Sequence, residues 1–493
     1  MSGNRFHVDV AVIGAGFGGS LTALLLRQVG RSAAIIERGS HPRFALGESA
    51  TPLADLVLGD LARRYDLPRI APLAEYGTWQ QTYPGLVCGL KRGFSYFHHP
   101  HGQPWQPRDD HANELLIAAS EGPADADTHW LRSQFDQFLV REAQAAGVTL
   151  LERAEIREIS GGPPWRLCGV RGGEPFVIDA SFLLDASGEG RVLAKRLGIA
   201  DEPDRMQTRS RSIYGHFLGL RPWCEIMREA GASQAHHPYP CDDAAVHQVF
   251  DGGWMWQLRF NNGVTSAGWL VDAERFPLQP SLAADDEWEQ WLSRIPSIGS
   301  QFRDARLVDP PDGLRRTGRL QHRLALAAGP GWAMLPTTAY TLDAMHSTGN
   351  AHTLSAIERL VDILEEHWLT IDMAAQLAEY NRGLQEEITH IDTLVHGCYR
   401  AMGQFDLFAP FTMFYFIAAH NCEARRREGE RKQAFLWAAE PDFRAGLAEM
   451  HERLVQITRG GPASPAEVRS FARDVARRLQ PYNIAGLTFP IPA

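Results

Sequence analysis

The chain begins with a sharp change in its pattern of hydrophobic positions. The short apolar, β-branched run Val8 to Ile13, broken only by Asp9, predicts a buried strand, and the apolar-rich stretch Ser20 to Val29 predicts a helix. A glycine-rich turn, residues 14 to 19, separates them, and a second apolar run, Ala33 to Ile36, predicts another strand. This order of strand, glycine turn, helix and strand is typical of the α/β unit that binds dinucleotides.

The residue types in this unit suit a dinucleotide. Gly14 permits a tight turn, Gly16 lets the backbone approach a pyrophosphate, and Gly19 lets the helix pack close to the strand. The start of the helix offers free N–H groups to the phosphates. Glu37 ends the second strand, where a carboxylate accepts hydrogen bonds from ribose hydroxyls, and we assign Arg38 beside it to the same cofactor. The glycines alone leave NAD and FAD open.

Two later segments favour FAD. Residues 131 to 136 open a predicted helix that leads to a strand near Val148 to Leu151, and residues 182 to 188 form a predicted strand that ends in a small-residue turn. Both resemble the second and third cofactor segments of the glutathione-reductase-like flavoprotein monooxygenases. That resemblance implies FAD as the cofactor, with Arg132 and Asp185 beside it.

The composition of the chain limits the kinds of partner and cellular location that we expect. The 493 residues carry 49 Lys plus Arg against 59 Asp plus Glu, a formal net charge of -10, so we expect no nucleic-acid partner. Six cysteines without a CxxC pair indicate reduced thiols in a cytoplasm. We find no signal peptide and no apolar run long enough for a membrane. The histidines at 98, 99 and 101 lack a second ligand group at a recognisable spacing, so we expect no metal.

Four segments in chain order carry a further resemblance. They are Gly47-Glu48-Ser49-Ala50-Thr51-Pro52, Cys88-Gly89-Leu90-Lys91-Arg92-Gly93-Phe94-Ser95-Tyr96, Gly253-Trp254-Met255-Trp256-Gln257-Leu258 and Asp343-Ala344-Met345-His346-Ser347-Thr348-Gly349. Together they resemble the flavin-dependent halogenases, from about residue 8 to about residue 370, and are most similar to the branch that acts on free phenols.

Three departures from that family accompany the matches. Leu258-Arg259 replaces the Ile-Pro that follows the Trp-x-Trp pair, Asp343-Ala344 replaces Asp-Pro, and His346 stands where relatives carry Glu or Phe. Two alternatives to halogenation therefore stay open: an aromatic hydroxylase that uses no halide, and a halogenase-like flavoprotein without catalysis.

The resemblance implies roles for the cofactor and halide side of the site. Reduced FAD, oxygen and a halide would give hypohalous acid. Asp343 and Gly349 would contact the cofactor, and Ser347, Thr348 and Gly349 would hold the halide. The structural alternative is that Ser347 is an ordinary helix cap.

The resemblance to the halogenases also implies roles for residues on the substrate side of the site. Lys91 would direct the halogen to an electron-rich aromatic, because a compact ammonium on a flexible stem binds hypohalous acid. Trp254 and Trp256 lie at strand spacing, so both rings project from one face and would separate substrate from flavin, or simply form core. Glu48 would act as a base toward a phenol or would contact the flavin or Lys91, and His346 would accept the ring proton.

We predict an α/β protein with a glutathione-reductase-like FAD-binding domain, a β-sheet substrate subdomain and a helical C-terminal region. The first comprises residues 1-80, 130-204 and 321-370, the second residues 81-129 and 205-320, and the third residues 371-493. Local patterns predict one buried strand over 86 to 97, a loop with a short helical piece over 100 to 127, and an apolar helix face extending to Trp368.

The predicted partners follow from the chemistry. Because there is no second nucleotide fingerprint, we expect a separate NAD(P)H flavin reductase to supply reduced FAD. The substrate is a small aromatic of phenol or pyrrole type, free or carrier-bound, with chloride or bromide as co-substrate. Monomer and homodimer both stay open.

Overall fold

The computed structural model describes residues 4–492. The strands are β1 (Asn4–Ile13), β2 (Ala33–Ile36), β3 (Cys88–Lys91), β4 (Gly93–His99), β5 (Glu114–Ala118), β6 (Asp127–Trp130), β7 (Thr149–Leu151), β8 (Ala154–Gly161), β9 (Trp165–Arg171), β10 (Glu174–Asp185), β11 (Ser210–Leu218), β12 (Ala245–Phe250), β13 (Gly253–Arg259), β14 (Val264–Asp272), β15 (Arg306–Asp309), β16 (Arg315–Arg316), β17 (His322–Arg323), β18 (Ala328–Gly329), β19 (Trp332–Met334) and β20 (Tyr340–Thr341). The α-helices are α1 (Phe17–Gln28), α2 (Pro52–Arg64), α3 (Tyr76–Thr82), α4 (Arg132–Ala145), α5 (Val192–Leu197), α6 (Trp223–Glu229), α7 (Ala284–Arg294), α8 (Pro296–Gln301), α9 (Pro336–Ala339), α10 (Thr348–Glu366), α11 (Met373–Ala401), α12 (Phe405–Arg427), α13 (Pro441–Ile457) and α14 (Pro465–Leu479).

The first sheet is built around β1. Its strand order is β18-β19-β10-β1-β2-β7, with β9 paired to β10 and β8 to β9. β1 runs parallel to both of its neighbours and its residues 10 to 13 are buried, as expected for a strand covered on both faces. Helix α1 begins at Phe17, three positions before the predicted start, because two of the glycines lie inside its first turn.

The second sheet has the order β15-β11-β14-β13-β12-β4-β5, and all its pairs are antiparallel except β12 with β4. Helices α7 and α8 contribute Trp288, Trp291 and Ile298 to an apolar cluster with β11, β13 and β14. The two sheets and the C-terminal helices confirm the predicted fold class. Two further sheets have two strands each and pair β3 with β6 and β17 with β20. The proposed division into three regions stays a prediction.

Three local predictions are wrong. The single strand over 86 to 97 is two strands in different sheets, because the chain leaves β3 at Arg92, whose N–H donates to the Asp243 carbonyl at 2.6 Å. Residues 100 to 127 contain no helical segment in the structure, but the apolar run 114 to 118 forms the edge strand β5. Helix α10 ends at Glu366, so Trp368 lies beyond it.

Glu387 on α11 ties the helical C-terminal region to helix α10. Its carboxylate accepts two hydrogen bonds from Arg359 at 2.8 Å, one from His352 at 3.0 Å and one from the Phe435 N–H at 2.8 Å. Burial opposes ionisation, but Arg359 and His352 lower the pKa of Glu387 to about 2. Among residues 4–492, no helix combines the length and the apolar character needed to cross a membrane.

We predict that Glu387→Gln lowers the free energy of unfolding by about 3 to 5 kcal/mol at pH 7, because it leaves the buried end of Arg359 uncompensated. Since the folded pKa is depressed, the deficit should shrink as the pH falls from 4.5 towards 2. Urea unfolding measures both. Glu379→Gln is the control, because Glu379 pairs with Arg382 on the exposed face of the same helix and should cost under about 1 kcal/mol. Equal losses in the two variants would contradict the prediction.

Candidate active site

A cavity of about 880 Å³ lies along the carboxyl end of the first sheet. Its wall includes Gly14 from the glycine turn, Glu37 and Arg38 from the end of β2, and Ser187 and Lys195 from the segment after β10. These elements meet because β1 lies between β2 and β10, so the ends of three parallel strands share one edge. The predicted positions of Gly14, Glu37 and Arg38 at one cavity are thus brought together.

The glycine turn leaves no room for side chains. A Cβ at Gly14, where φ is +101°, would lie 2.5 Å from the Ala186 carbonyl oxygen, and a Cβ at Gly19 would lie 2.1 Å from the Gly14 carbonyl oxygen. A Cβ at Gly16 would instead face the guanidinium of Arg132 at 3.6 Å. The turn therefore fits against both its helix and the β10 loop, and its backbone is free to approach a pyrophosphate.

Glu37 is an ionised acceptor at the end of β2. Its carboxylate accepts the Ala15 N–H at 2.9 Å and the Gly39 N–H at 2.7 Å, and Arg43 lies 3.4 Å away. Burial alone would raise the pKa of Glu37, but Arg43 and the two N–H groups lower it. Carboxylate, glycine turn and basic residues together fit the ribose and phosphates of an adenine dinucleotide.

Neither Arg132 nor Asp185 lines this cavity, and their place beside the cofactor stays a prediction. Arg132 forms two hydrogen bonds with Asp136 and donates to the carbonyls of Leu46 and Gly47 at 2.5 and 3.1 Å. Asp185 accepts the N–H groups of Ser187 and Leu193 at 2.9 and 2.6 Å. Both side chains therefore hold the backbone of loops beside the glycine turn and β10.

A second cavity of about 350 Å³ adjoins the first, and Glu189 lines both. Its wall brings together residues from three of the halogenase-like segments: Gly47, Glu48, Ser49, Trp254, Trp256, Leu258, Asp343, Ala344, Ser347, Thr348 and Gly349. Most of the other lining residues are apolar or aromatic. A flat, largely apolar ring such as the isoalloxazine of FAD fits a cavity of this kind.

Trp254 and Trp256 project from the same face of β13, as predicted, with ring centroids 6.2 Å apart. Their indole N–H groups donate to Asp343 at 3.2 Å and to Ser266 at 3.1 Å. The Asp343 carboxylate also accepts from the hydroxyls of Ser210 and Tyr399, both at 2.7 Å. Asp343 therefore fixes the position of a tryptophan in the cavity wall, and its oxygens are already bonded within the protein.

The start of α10 forms the opposite wall. Ser347 takes a left-handed conformation, with φ at 51°, and its side chain makes no capping bond, so the alternative of an ordinary helix cap is wrong. The next residues, Thr348 and Gly349, begin the helix, where N–H groups lack intrahelical acceptors. Gly349 is exposed, and a Cβ there would meet nothing within 4 Å. Free N–H groups and open space suit an anion or the edge of a cofactor ring.

Lys91 ends β3 and is fully buried. Its ammonium donates to the Ala50 carbonyl at 2.5 Å, lies 3.5 Å from Asp127 and sits 4.1 Å from the centre of the Phe94 ring. Asp127 begins β6 and is the residue directly opposite Lys91 in the strand pair, which explains the ion pair. The structural alternative of a lysine that extends into solvent is therefore wrong.

Three buried carboxyl groups surround this ammonium. Burial lowers the pKa of Lys91, and the Asp127 carboxylate opposes that effect. Burial raises the pKa of Asp127 to about 6, although the charge of Lys91 acts in the opposite direction. Burial and the neighbouring Asp127 carboxylate raise the pKa of Asp55 well above its usual range. Glu423 on α12 has its pKa raised by burial to about 8. Burial thus disfavours the charged form of all three carboxyl groups, and the Lys91 ammonium counteracts this effect at each of them.

Glu48 lies on the wall of the second cavity and accepts from His216 at 2.8 Å. Burial would lower the pKa of His216, but the Glu48 carboxylate raises it above the ordinary value. The carbonyl that binds Lys91 belongs to Ala50, two residues further on. Of the three roles left open for Glu48, its place on this wall favours contact with the flavin.

His346 has neighbours other than the predicted ones. Its ring stacks on Tyr415 with centroids 4.4 Å apart, and its Nε2 lies 3.5 Å from the Cys398 sulfur. Burial lowers the pKa of His346 to about 3, so the ring is neutral. The imidazoles whose pKa is lowered in part by the charge of Lys91 are His129 and His247.

The sequence analysis did not identify several residues of the site. Lys195 lines the nucleotide cavity, and the rarity of lysine in this arginine-rich chain was the one signal for it. His247 lines the second cavity and stacks on Trp254 at 5.0 Å, while Asp127 pairs with Lys91 and the charge of Asp55 raises the pKa of Lys91. None of these three belongs to a recognisable motif: Asp127 reaches Lys91 through the pairing of β3 with β6, His247 lies on β12 and Asp55 lies on α2.

The family profile of FAD dependent oxidoreductases matches residues 9–345. Monodechloroaminopyrrolnitrin halogenase PrnC of Pseudomonas fluorescens is 29% identical over 442 residues, covering 86% of this chain and 75% of the relative. Tetracycline 7-halogenase of Kitasatospora aureofaciens is 28% identical over 391 residues, covering 76% and 67%. The solved structure of halogenase PltM in complex with phloroglucinol and FAD gives a TM-score of 0.83 at 21% identity, covering 98% of this chain and all of that one, 100%.

The chain therefore belongs to the FAD dependent oxidoreductase family, and the predictions of an oxidoreductase and of FAD as cofactor are confirmed. Within that class its relatives are flavin-dependent halogenases, which confirms the family recognised from the four motifs.

The open space at Gly349 gives a test of where the flavin lies. We predict that Gly349→Ala weakens FAD binding about tenfold or more, since one extra methyl group in a filled site costs about 1 to 3 kcal/mol. The free energy of unfolding of the FAD-free protein should not fall, because alanine is the better helix former. Flavin fluorescence titration and urea unfolding measure the two effects.

The control is Gly446→Ala on α13, another helical glycine with space for a methyl group. It should leave FAD binding unchanged. If Gly349→Ala binds FAD as tightly as the unaltered protein, the start of α10 does not face the cofactor.

Proposed function

We propose that this protein is a flavin-dependent halogenase that replaces a ring hydrogen of an electron-rich aromatic, of phenol or pyrrole type, with chlorine or bromine. Bound reduced FAD, with oxygen and a halide, supplies hypohalous acid. The chain's own residues then have three tasks: to hold the cofactor and halide, to keep the substrate from the flavin, and to place the oxidant beside the ring.

The observation that supports this proposal is the position of Lys91 relative to the second cavity. We propose that this cavity holds the flavin ring, and we call it the flavin cavity. Gly47, Glu48 and Ser49 form part of the cavity wall, and the carbonyl of the next residue, Ala50, binds the Lys91 ammonium. Lys91 itself is absent from that wall. A buried ammonium thus stands one layer of protein away from the cofactor, where only a small oxidant needs to travel between them.

The surroundings of Lys91 suit aromatic substitution. Phe94 lies against its ammonium, and Tyr415 and Phe416 pack on Phe94 with centroids 5.8 and 5.4 Å away. A hydrogen bond from the ammonium to the oxygen of hypohalous acid makes that oxygen a better leaving group. The aromatic carbon bonds to the halogen, the oxygen leaves as water after taking a proton, and the ring loses its proton.

The tryptophan pair favours halogenation over hydroxylation. Trp254 and Trp256 are both buried and held by hydrogen bonds, so they form a fixed wall of the flavin cavity. His247 stacks between Trp254 and Tyr96, at 5.0 and 4.4 Å, and thickens that wall on the side of Phe94. A substrate bound near Lys91 would therefore be kept from direct contact with the isoalloxazine.

The partners are part of the proposal. A separate NAD(P)H flavin reductase would supply reduced FAD, and the substrate would be free or bound to a carrier. At the helix start, Ser347, Thr348 and Gly349 would hold the halide. The proposed location is the cytoplasm, which the six free cysteines support.

We predict that Lys91→Met lowers the rate of halogenation about 100-fold or more, because it removes the group that positions and activates the oxidant. The assay supplies reduced FAD, oxygen, chloride or bromide and a reactive phenol, and mass spectrometry detects the product. FAD binding is measured on the same sample, so that a misfolded variant is recognised.

Lys432→Met, which removes an exposed lysine, is the matched control and should keep full activity. A hydroxylated product that forms with or without halide would replace the proposal by the hydroxylase. FAD binding without either product would replace it by a flavoprotein that lacks catalysis.

We predict that Asp127→Asn shifts the alkaline limb of the pH–rate profile to lower pH, by about 1 to 3 units. Above pH 6 the Asp127 carboxylate is ionised and keeps Lys91 protonated against the effect of burial, so its loss lowers the pKa of Lys91 further. Asp125→Asn, in the exposed turn just before β6, should leave the profile unchanged. A uniform loss of activity with no shift would contradict this role of Asp127.

A further inference from the structure

A second cluster of chemically competent side chains lies at the far edge of the second sheet. Glu114 is the first residue of the edge strand β5. Its Oε1 accepts from His111 Nδ1 at 2.7 Å and from His236 Nε2 at 2.8 Å, and its Oε2 lies 3.3 Å from His237 Nε2. Three imidazoles thus converge on one carboxylate.

The geometry of this cluster matches the needs of a transition metal. Three potential ligand atoms, on His111, Glu114 and His236, lie within 4.8 Å of one another. Zinc bonds to imidazole nitrogen and carboxylate oxygen are about 2.0 to 2.2 Å long, so neighbouring ligand atoms of a tetrahedral site lie about 3.3 Å apart. Small side-chain movements therefore suffice to admit an ion. No other group of this kind occurs among residues 4–492.

The local backbone presents the ligands outward. His111 has a left-handed conformation, with φ at 53°, which places its ring over that of His236 with centroids 3.7 Å apart. His111 and His236 are exposed over 48% and 36% of their side chains, whereas Glu114 and His237 are almost completely buried. An ion can thus reach the cluster from solvent, while the buried His237 orients the carboxylate from behind, as neighbours of metal ligands do.

The histidines singled out in the sequence do not compete for this role. His98, His99 and His101 bond to the Met402 carbonyl, to Gln248 and to the Asp251 carbonyl respectively. They therefore point to three different partners and share no common centre.

We propose that His111, Glu114 and His236 form a binding site for a divalent transition metal, with zinc as the preferred ion. Two imidazoles and one carboxylate, with water as the fourth ligand, are a donor set typical of zinc. The ion would tie the start of edge strand β5 to residues 232 to 239 after α6. Its role is structural, since the cluster belongs to neither of the cavities that form the active site.

The test uses the full chain freed of metal with a chelator. We expect isothermal titration to show one zinc ion bound per chain, and cobalt(II) to give the strong visible absorption of a four-coordinate site. His111→Ala/His236→Ala should weaken zinc binding at least about 100-fold, and Glu114→Gln should weaken it at least about tenfold. Both variants should keep FAD binding, which confirms that they fold.

The matched control is His101→Ala, which removes an exposed histidine from the same loop. It should bind zinc like the unaltered chain. Zinc should also raise the melting temperature of the unaltered chain but not that of the double variant, because an ion that binds only the folded state stabilises it. Absence of zinc binding, or equal binding by the double variant, would overturn the proposal, and neither result bears on halogenation.

Discussion

The architecture of the site depends on keeping one ammonium charged where there is no water. Isolated charges are costly to bury, so Lys91 needs both the Asp127 carboxylate and the Ala50 carbonyl. The pairing of β3 with β6 supplies the carboxylate. The loop of residues 47 to 50, which forms part of the flavin cavity wall, supplies the carbonyl. The position of Lys91 is thereby tied to the position of the cofactor loop, and a shift of either would break a bond to the same nitrogen. In the proposed mechanism, this coupling would set the distance between the place where the oxidant forms and the place where it acts.

Buried charged groups also hold loops in place around the two cavities. The side chains of Arg132, Asp185 and Asp343 form hydrogen bonds with backbone and side-chain groups of the protein. Each fixes a segment that contributes to a cavity wall. Buried charged groups here shape the loops, and the loops offer backbone N–H groups and apolar surface to the ligand.

The sequence was sufficient for the parts of the site that depend on local patterns. The glycine turn, the carboxylate at the end of β2 and the shared face of Trp254 and Trp256 follow from spacing alone, because each lies within one strand or one turn. Lys91 could be predicted as buried, but not its partner, since Asp127 becomes its neighbour only when β3 pairs with β6. The break at Arg92 was missed for a related reason: the stretches 86 to 90 and 94 to 97 are both mainly apolar, and only pairing shows that they join different sheets. Likewise His236 lies 122 positions from Glu114, so sequence spacing carries no sign of their contact.

The departures from the halogenase motifs can also be explained in physical terms. Arg259, in place of a proline after the tryptophan strand, bonds to Asp242 at 3.1 Å and to the Leu220 carbonyl at 3.1 Å. Asp242 in turn accepts the N–H groups of Trp223 and Cys224 at the start of α6, both at 2.8 Å. The end of β13 is thus fixed by an ion pair, whereas a proline would fix it by restricting the backbone. Because Leu258 still lines the cavity and Trp254 still bonds to Asp343, the substitution changes how the wall is anchored and leaves the wall itself in place.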